Sequence, residues 1–201
     1  MDKRRLPLCL CLLVFLLWGC GSVREYLEIA RDKGVSKEYG AALADWTRSQ
    51  VAYSQFETRL RITATFKGRA FQKAYLAEYA RIYVLSDDER RKREDAQTQL
   101  AGDCREIFFY AYIPEKDYND FEKRQSTWTV FLQDERGGRI EPLELRRIEK
   151  VTPMILEFFP YVNPHYGRCY SLKVPPVSDE DFRNLKIVFT GVLGRIELAW
   201  K

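Results

Sequence analysis

The chain has a single histidine, His165, within Asn163-Pro164-His165-Tyr166-Gly167. A serine or cysteine hydrolase needs a base to take the nucleophile's proton and a third group to orient that base. His165 is the one imidazole for that role, and no Gly-x-Ser-x-Gly elbow accompanies it, so it reads as part of an exposed turn. A lone histidine also excludes a multi-histidine metal site. Two carboxylates in one cleft can cleave a glycosidic bond, and Asp134 with Glu135, or Asp179, Glu180 and Asp181, are candidates by type. Both groups fall at turn signals, and Ser178 reads as a cap for a short turn through Asp181. The acidic triplet lacks the spacing and central glycine of an EF-hand. Gly191-Val192-Leu193-Gly194 lacks the Gly-Lys-Ser/Thr ending of a phosphate loop and reads as a β-turn. The residues therefore assign no catalytic group, no metal set and no cofactor.

The segment Phe158-Phe159-Pro160-Tyr161-Val162-Asn163-Pro164-His165-Tyr166 sets four aromatics beside two prolines. Exposed, it would mark a partner or glycan site, since aromatic side chains supply much of interface hot-spot energy. Buried, it would cap a core. Phe159, Tyr161, His165 and Tyr166 are the candidate partner-binding residues. The basic run Arg90 to Arg93 has the charge to touch anionic headgroups or lipopolysaccharide phosphates, but Asp87, Asp88, Glu89, Glu94 and Asp95 flank it and largely cancel its field, so a solvated helix face with ion pairs is the expectation.

These residues sit in a chain of 201, a length that predicts one domain with a small appendage. Lys and Arg total 33 against 29 Asp and Glu, a formal charge of +4, which argues against a nucleic-acid binder. With 46% hydrophobic and 31% charged residues, a folded body is expected and not a disordered one.

Lys3, Arg4 and Arg5 precede an apolar run from Leu6 to Trp18. Thirteen helical residues reach about 20 Å, short of the roughly 30 Å bilayer core, so the run fits a signal segment better than an anchor. Leu17-Trp18-Gly19-Cys20 closes it. That ending resembles the lipobox of bacterial lipoproteins, in which the cysteine receives a diacylglyceryl group and the chain is cut before it. The resemblance implies acylation of Cys20, removal of residues 1–19 and membrane attachment through lipid. Gly21 in place of aspartate implies the outer membrane, facing the periplasm.

Cys9 and Cys11 lie in the apolar run, which leaves Cys104 and Cys169 as thiols of the body. In an oxidising compartment they are a candidate disulfide, worth about 4 kcal/mol on the chain-entropy model, with two separate buried thiols as the alternative. No Cys-x-x-Cys supports redox chemistry.

Seven of eight prolines lie at or beyond Pro114, which predicts long elements first and short punctuated ones after. Val23, Tyr26, Leu27 and Ala30 have helical spacing before Gly34. Ser36 is placed to cap a helix carrying Tyr39, Leu43, Trp46 and Tyr53 on one stripe. Period-two alternation over 59–66 predicts a strand, and Phe71, Tyr75, Tyr79 and Ile82 share a helical face beyond it. Ser86 with Glu89 forms a capping box for a further helix. After Gly102 the expected strands are 106–113, 127–133, 139–148, 154–159, 168–174, 185–190 and 195–200. The expectation is an α+β protein: a signal over 1–19, a mainly helical region over 20–101 with one strand near 59–67, and an antiparallel, immunoglobulin-like β-sandwich over 102–201. Its expected role is a non-enzymatic scaffold or binding module with an envelope protein or glycan partner. The alternative is a carboxylate-dependent hydrolase of cell-wall or surface glycan.

Overall fold

A computed structural model describes residues 34–100 and 103–200. The lipobox, Cys20 and the helical spacing over 23–30 lie outside the described residues. The fold is α+β, with two antiparallel sheets. Ser36 caps α1 (Lys37–Trp46), its hydroxyl accepting from the Tyr39 amide at 3.2 Å. Tyr39, Leu43 and Trp46 form the buried stripe, but the helix ends there. Thr47 is already extended and opens β1 (Thr47–Ser54), so Tyr53 belongs to a strand and is exposed. The expected stripe is corrected at that residue. A run such as Thr-Arg-Ser-Gln-Val-Ala-Tyr-Ser fits helical spacing on paper, while Thr47 and Val51 are β-branched and gain from pairing in a sheet.

A two-residue turn joins β1 to β2 (Glu57–Phe66), in which Leu60, Ile62, Ala64 and Phe66 are all buried. Helix α2 (Arg69–Tyr83) follows, then α3 (Asp87–Leu100). The capping box at the head of α3 is formed: the Ser86 amide donates to Glu89 Oε2 at 2.9 Å and the Glu89 amide to Ser86 Oγ at 3.4 Å. The remaining elements are β3 (Arg105–Tyr112), β4 (Trp128–Gln133), β5 (Arg139–Ile140), β6 (Glu144–Ile148), α4 (Pro153–Phe158), β7 (Gly167–Val174), α5 (Asp179–Arg183), β8 (Lys186–Gly191) and β9 (Gly194–Ala199). The expected strand over 154–159 is a helix instead. Thr152 accepts from the Ile155 amide at 3.3 Å and Pro153 takes the first helical position, where a missing amide hydrogen costs nothing.

One sheet runs β1-β2-β3-β7-β6 and the other β5-β4-β8-β9. The expected boundary at 101/102 does not separate the strands, because β2 pairs with β3 directly, Phe66 opposite Ile107 and Arg61 opposite Tyr112. The first region holds two strands of the larger sheet, where one was expected. The single run expected over 139–148 likewise divides, β5 joining one sheet and β6 the other.

The inner faces meet through aromatic rings. Phe109 stacks on Tyr170 at 4.8 Å and meets Phe189 of the other sheet edge-on at 5.2 Å. The outer face of the larger sheet is covered by α1, α2 and α4, with Phe108 against Phe159 at 4.3 Å and Tyr75 against Phe158 at 4.4 Å. The adjoining edges β1 and β9 are tied by side chains. Arg48 Nε donates to the Ala199 carbonyl at 3.2 Å, and the Glu197 amide donates to Gln50 Oε1 at 3.1 Å. Trp200, fully buried, adds its indole N–H to the Trp46 carbonyl at 2.8 Å.

Candidate functional site

Of the carboxylates with the types for catalysis, Asp134 and Asp179 are engaged with backbone amides, and Asp181 accepts from the Ser178 hydroxyl at 2.6 Å. Asp134 Oδ1 accepts from the amides of Arg136 at 2.9 Å and Gly138 at 2.6 Å, which makes it the organiser of the β4–β5 turn. Asp179 accepts from the amides of Arg69 at 2.9 Å and Ala70 at 2.8 Å. It thereby caps α2, whose own cap position is Gly68 and offers no side chain. A side chain at Gly68 would collide with that carboxylate. Ser178 caps α5 as its position suggested, accepting from the Asp181 amide at 3.0 Å. An open cavity of about 540 Å³ lies beside these groups, lined by Arg69, Arg105, Val177, Asp179 and Glu180 among others. Its Asp179 is held in the cap.

The two body cysteines lie far apart. Cys169 pairs with Tyr110 in the β3–β7 ladder, whereas Arg105, next to Cys104, pairs with Val174. Five ladder positions separate the pairs, about 17 Å along the strands, against the roughly 6 Å that a disulfide spans between Cα atoms. The candidate bridge is therefore corrected to two free thiols, Cys104 half-buried and Cys169 buried.

The candidate segment 158–166 divides. Phe158, Phe159 and Val162 are buried, and the Tyr161 hydroxyl shares a hydrogen bond with Thr65 Oγ1 at 2.7 Å. Phe159 and Tyr161 thus serve the core and leave the binding candidates, because the segment folds back over the outer face of β3. His165 and Tyr166 stay exposed at its end, where Asn163 Oδ1 accepts from the His165 amide at 3.1 Å.

Tyr166 has company that sequence reading missed. Gly167 pairs with Tyr112 and Tyr112 with Arg61, so the start of β7, the end of β3 and the start of β2 share one end of the larger sheet. Arg48 beside Ala199, Gln50 beside Glu197 and Ala52 beside Gly194 carry this alignment across to the other sheet. The β1–β2 and β8–β9 turns consequently lie side by side. The loop over 113–127 joins them: Glu115 approaches Arg59 at 3.7 Å, and the Trp128 indole donates to the Tyr118 carbonyl at 2.7 Å. Trp128 in turn pairs with Gly191.

This end displays Tyr53, Phe56, Tyr118, Tyr166 and Val192, half of the exposed large hydrophobic side chains among the described residues. Phe56 is fully exposed and Val192 is 88% exposed. Each stands in a two-residue turn, Gln55-Phe56 between the paired Ser54 and Glu57, and Val192-Leu193 between the paired Gly191 and Gly194. The reading of 191–194 as a turn holds, but its apolar content carries the interest. The available signal was a hydrophobic side chain at each turn centre, where polar residues and glycine normally dominate.

Beyond this end, two carboxylates are each held by several partners, Glu78 buried and Glu106 half-buried. Glu78 accepts from the Ser36 amide at 2.9 Å and from Nε and Nη2 of Arg81 at 3.2 and 2.7 Å. Burial works against its ionised form, yet the bonds from Arg81 and Ser36 outweigh that and hold its carboxyl below the ordinary range. Glu106, likewise opposed by burial, is held low by Lys67 at 2.7 Å and by the Ser171 hydroxyl at 2.7 Å. Both tie chain segments together, α2 to the start of α1 and β3 to its flanking strands. Among the described residues no group of His, Cys, Asp and Glu side chains could hold a metal ion, and no helix is long and apolar enough to cross a membrane. No family model, no curated protein and no solved structure matches this chain.

Proposed function

We propose that this chain is an envelope lipoprotein, held by an acylated Cys20 at the periplasmic side of the outer membrane, and that its body is a non-enzymatic binding module. Its two sheets we read as an immunoglobulin-like sandwich, a reading supported by the Phe109–Phe189 contact between them. One observation carries the proposal: three turns and a loop end bring Tyr53, Phe56, Tyr118, Tyr166 and Val192 to one end of the body, exposed. Apolar groups gathered in this way mark interaction surfaces. A lipid at Cys20 would give such a surface a fixed address, since multiple acyl chains hold a protein stably where one holds it marginally.

Crosslinked capture from native membranes tests the module. Tyr118→Ala combined with Tyr166→Ala is expected to lose the envelope components, protein or phospholipid, that are crosslinked to this surface, while the melting temperature stays within about 2 °C. Unchanged capture would refute the assignment of this surface. Cys20→Ser is expected to leave an unprocessed precursor without fatty-acid label, and a labelled variant would refute the anchor.

A further inference from the structure

We infer that the apolar end is a membrane-docking surface whose partner is a phospholipid bilayer, with Phe56 and Val192 entering the acyl boundary and Tyr53, Tyr118 and Tyr166 resting at headgroup level. The inference rests on the binding-module reading and names its partner. Four observations lead to lipid, the first of them also away from a folded protein.

The shape is convex. Phe56 and Val192 are the apices of two-residue turns and carry almost no neighbours on their outer sides. Protein hot spots work by filling well-packed, desolvated pockets, which two separate protrusions do not build. A fluid surface needs no preformed counterpart, because it closes around each apex. The aromatic composition agrees: three of the five side chains are tyrosines, whose apolar ring and polar hydroxyl match the membrane–water interface.

Charge agrees as well. Exposed Arg61, Lys116, Lys123, Arg124 and Arg195 flank the apolar tips, against exposed Glu57, Glu115 and Asp117. Glu115 is paired to Arg59 and Arg195 to Glu197, which leaves Arg61, Lys116, Lys123 and Arg124 against Glu57 and Asp117. Arg195 directly follows the β8–β9 turn, Arg61 lies four residues beyond Glu57 on β2, and Lys116, Lys123 and Arg124 lie in the 113–127 loop, so the cations stand behind the tips, on the side where headgroup phosphates would meet them once the apices are buried. Finally, the turns are backed by rigid elements, the β1–β9 ties and the Trp128–Tyr118 bond, so docking orders little that is loose.

The test uses the full chain reconstituted into vesicles of phosphatidylethanolamine and phosphatidylglycerol, with no other protein present. Phe56→Trp adds one fluorophore at the apex to Trp46, Trp128 and Trp200 of the processed chain. The expected result is a blue-shifted difference spectrum that is quenched by brominated acyl chains and shielded from aqueous iodide. Phe56→Asp with Val192→Asp, read through a Tyr166→Trp reporter, is expected to cut bromolipid quenching about tenfold, while circular dichroism and melting temperature stay as in the parent. A difference spectrum of the Phe56→Trp variant at the water position, quenched by iodide and not by bromolipid, would overturn the inference. If that happens while Tyr118→Ala with Tyr166→Ala still abolishes crosslinked capture, the lipid partner fails and the binding module stands. If capture is also unchanged, both fail.

Discussion

Cys169 lies within the β3–β7 ladder, and burial pushes its thiol up to about 12. Thiolate is the reactive species, so iodoacetamide at pH 8 is expected to modify Cys104 in the folded protein and to reach Cys169 only after unfolding. Reductant is expected to change neither rate, because the thiols are some 17 Å or more apart along the strands. A reductant-dependent second site would contradict the register. Glu78 and Glu106 give a second expectation at this scale. Glu78 and Glu106 both titrate below the ordinary glutamate range when folded, so the unfolded chain binds protons first on acidification. Their contribution is complete above the unfolded value, about 4.3, and is lost as pH falls through the lower folded values. Urea unfolding at a series of pH values is expected to show a declining midpoint below about pH 4. Glu78→Gln is expected to flatten that acid limb and to cost about 1 kcal/mol at pH 7, since the buried carboxylate loses the charge that the exposed Arg81 and the Ser36 amide bind. An unaltered limb would remove Glu78 from the account.

At the scale of elements, α2 shows what a helix needs from elsewhere in the chain. Its N-terminus has a glycine at the cap, and Asp179, 110 residues away in sequence from Arg69, supplies the missing acceptor. Asp179→Ala is expected to lower stability by about 1 to 2 kcal/mol, measured by chemical unfolding; a loss under about 0.3 kcal/mol would show that the cap is replaced by solvent. Its C-terminus ends on Val84 in the left-handed region at φ +50°, a conformation that a β-branched side chain resists. Val84 is exposed, so Val84→Gly relieves this crowding without opening the core and is expected to raise stability by about 1 kcal/mol.

These two ends also mark what the sequence made legible. Local devices were readable: Ser36, the Ser86–Glu89 box, the Ser178 cap and the turn at 191–194 all appear where residue order placed them, whereas the alternation over 59–66 marks the strand but not the burial of Thr63 and Thr65 on its second face. Partnerships across the chain were not, Asp179 with α2 or β1 with β9, because no local pattern encodes which segment will arrive. The same limit hid the apolar end. Tyr166 was named from its segment, but Phe56, Tyr118 and Val192 gain meaning only when separate turns converge, and Phe159 and Tyr161 lose it when α4 turns them inward.

For the whole molecule, the question is whether the helical first part and the strand-rich second part are separate bodies. The ladder between β2 and β3 runs across the expected boundary for six residue pairs, and each strand is buried along most of its length. Removing residues before 102 would strip β3 of that partner and expose its unpaired edge. It would also uncover Phe159, which covers the outer face of Phe108 and itself packs against Phe71 and Tyr75. On the other side, Trp200 would lose the Trp46 carbonyl that satisfies its indole, leaving a large side chain with a buried, unpaired donor. A fragment of residues 102–201 is therefore expected to be aggregated or unfolded by near-ultraviolet circular dichroism, whereas the full chain unfolds in one transition. Trp200→Ala in the full chain is expected to cost about 3 to 5 kcal/mol and to lower the signals of both halves together. Two separated transitions, with ellipticity from the helices lost apart from the tryptophan signal of Trp128, would show instead that the sheets meet as independent units and that the pairing of β2 with β3 contributes little to holding them.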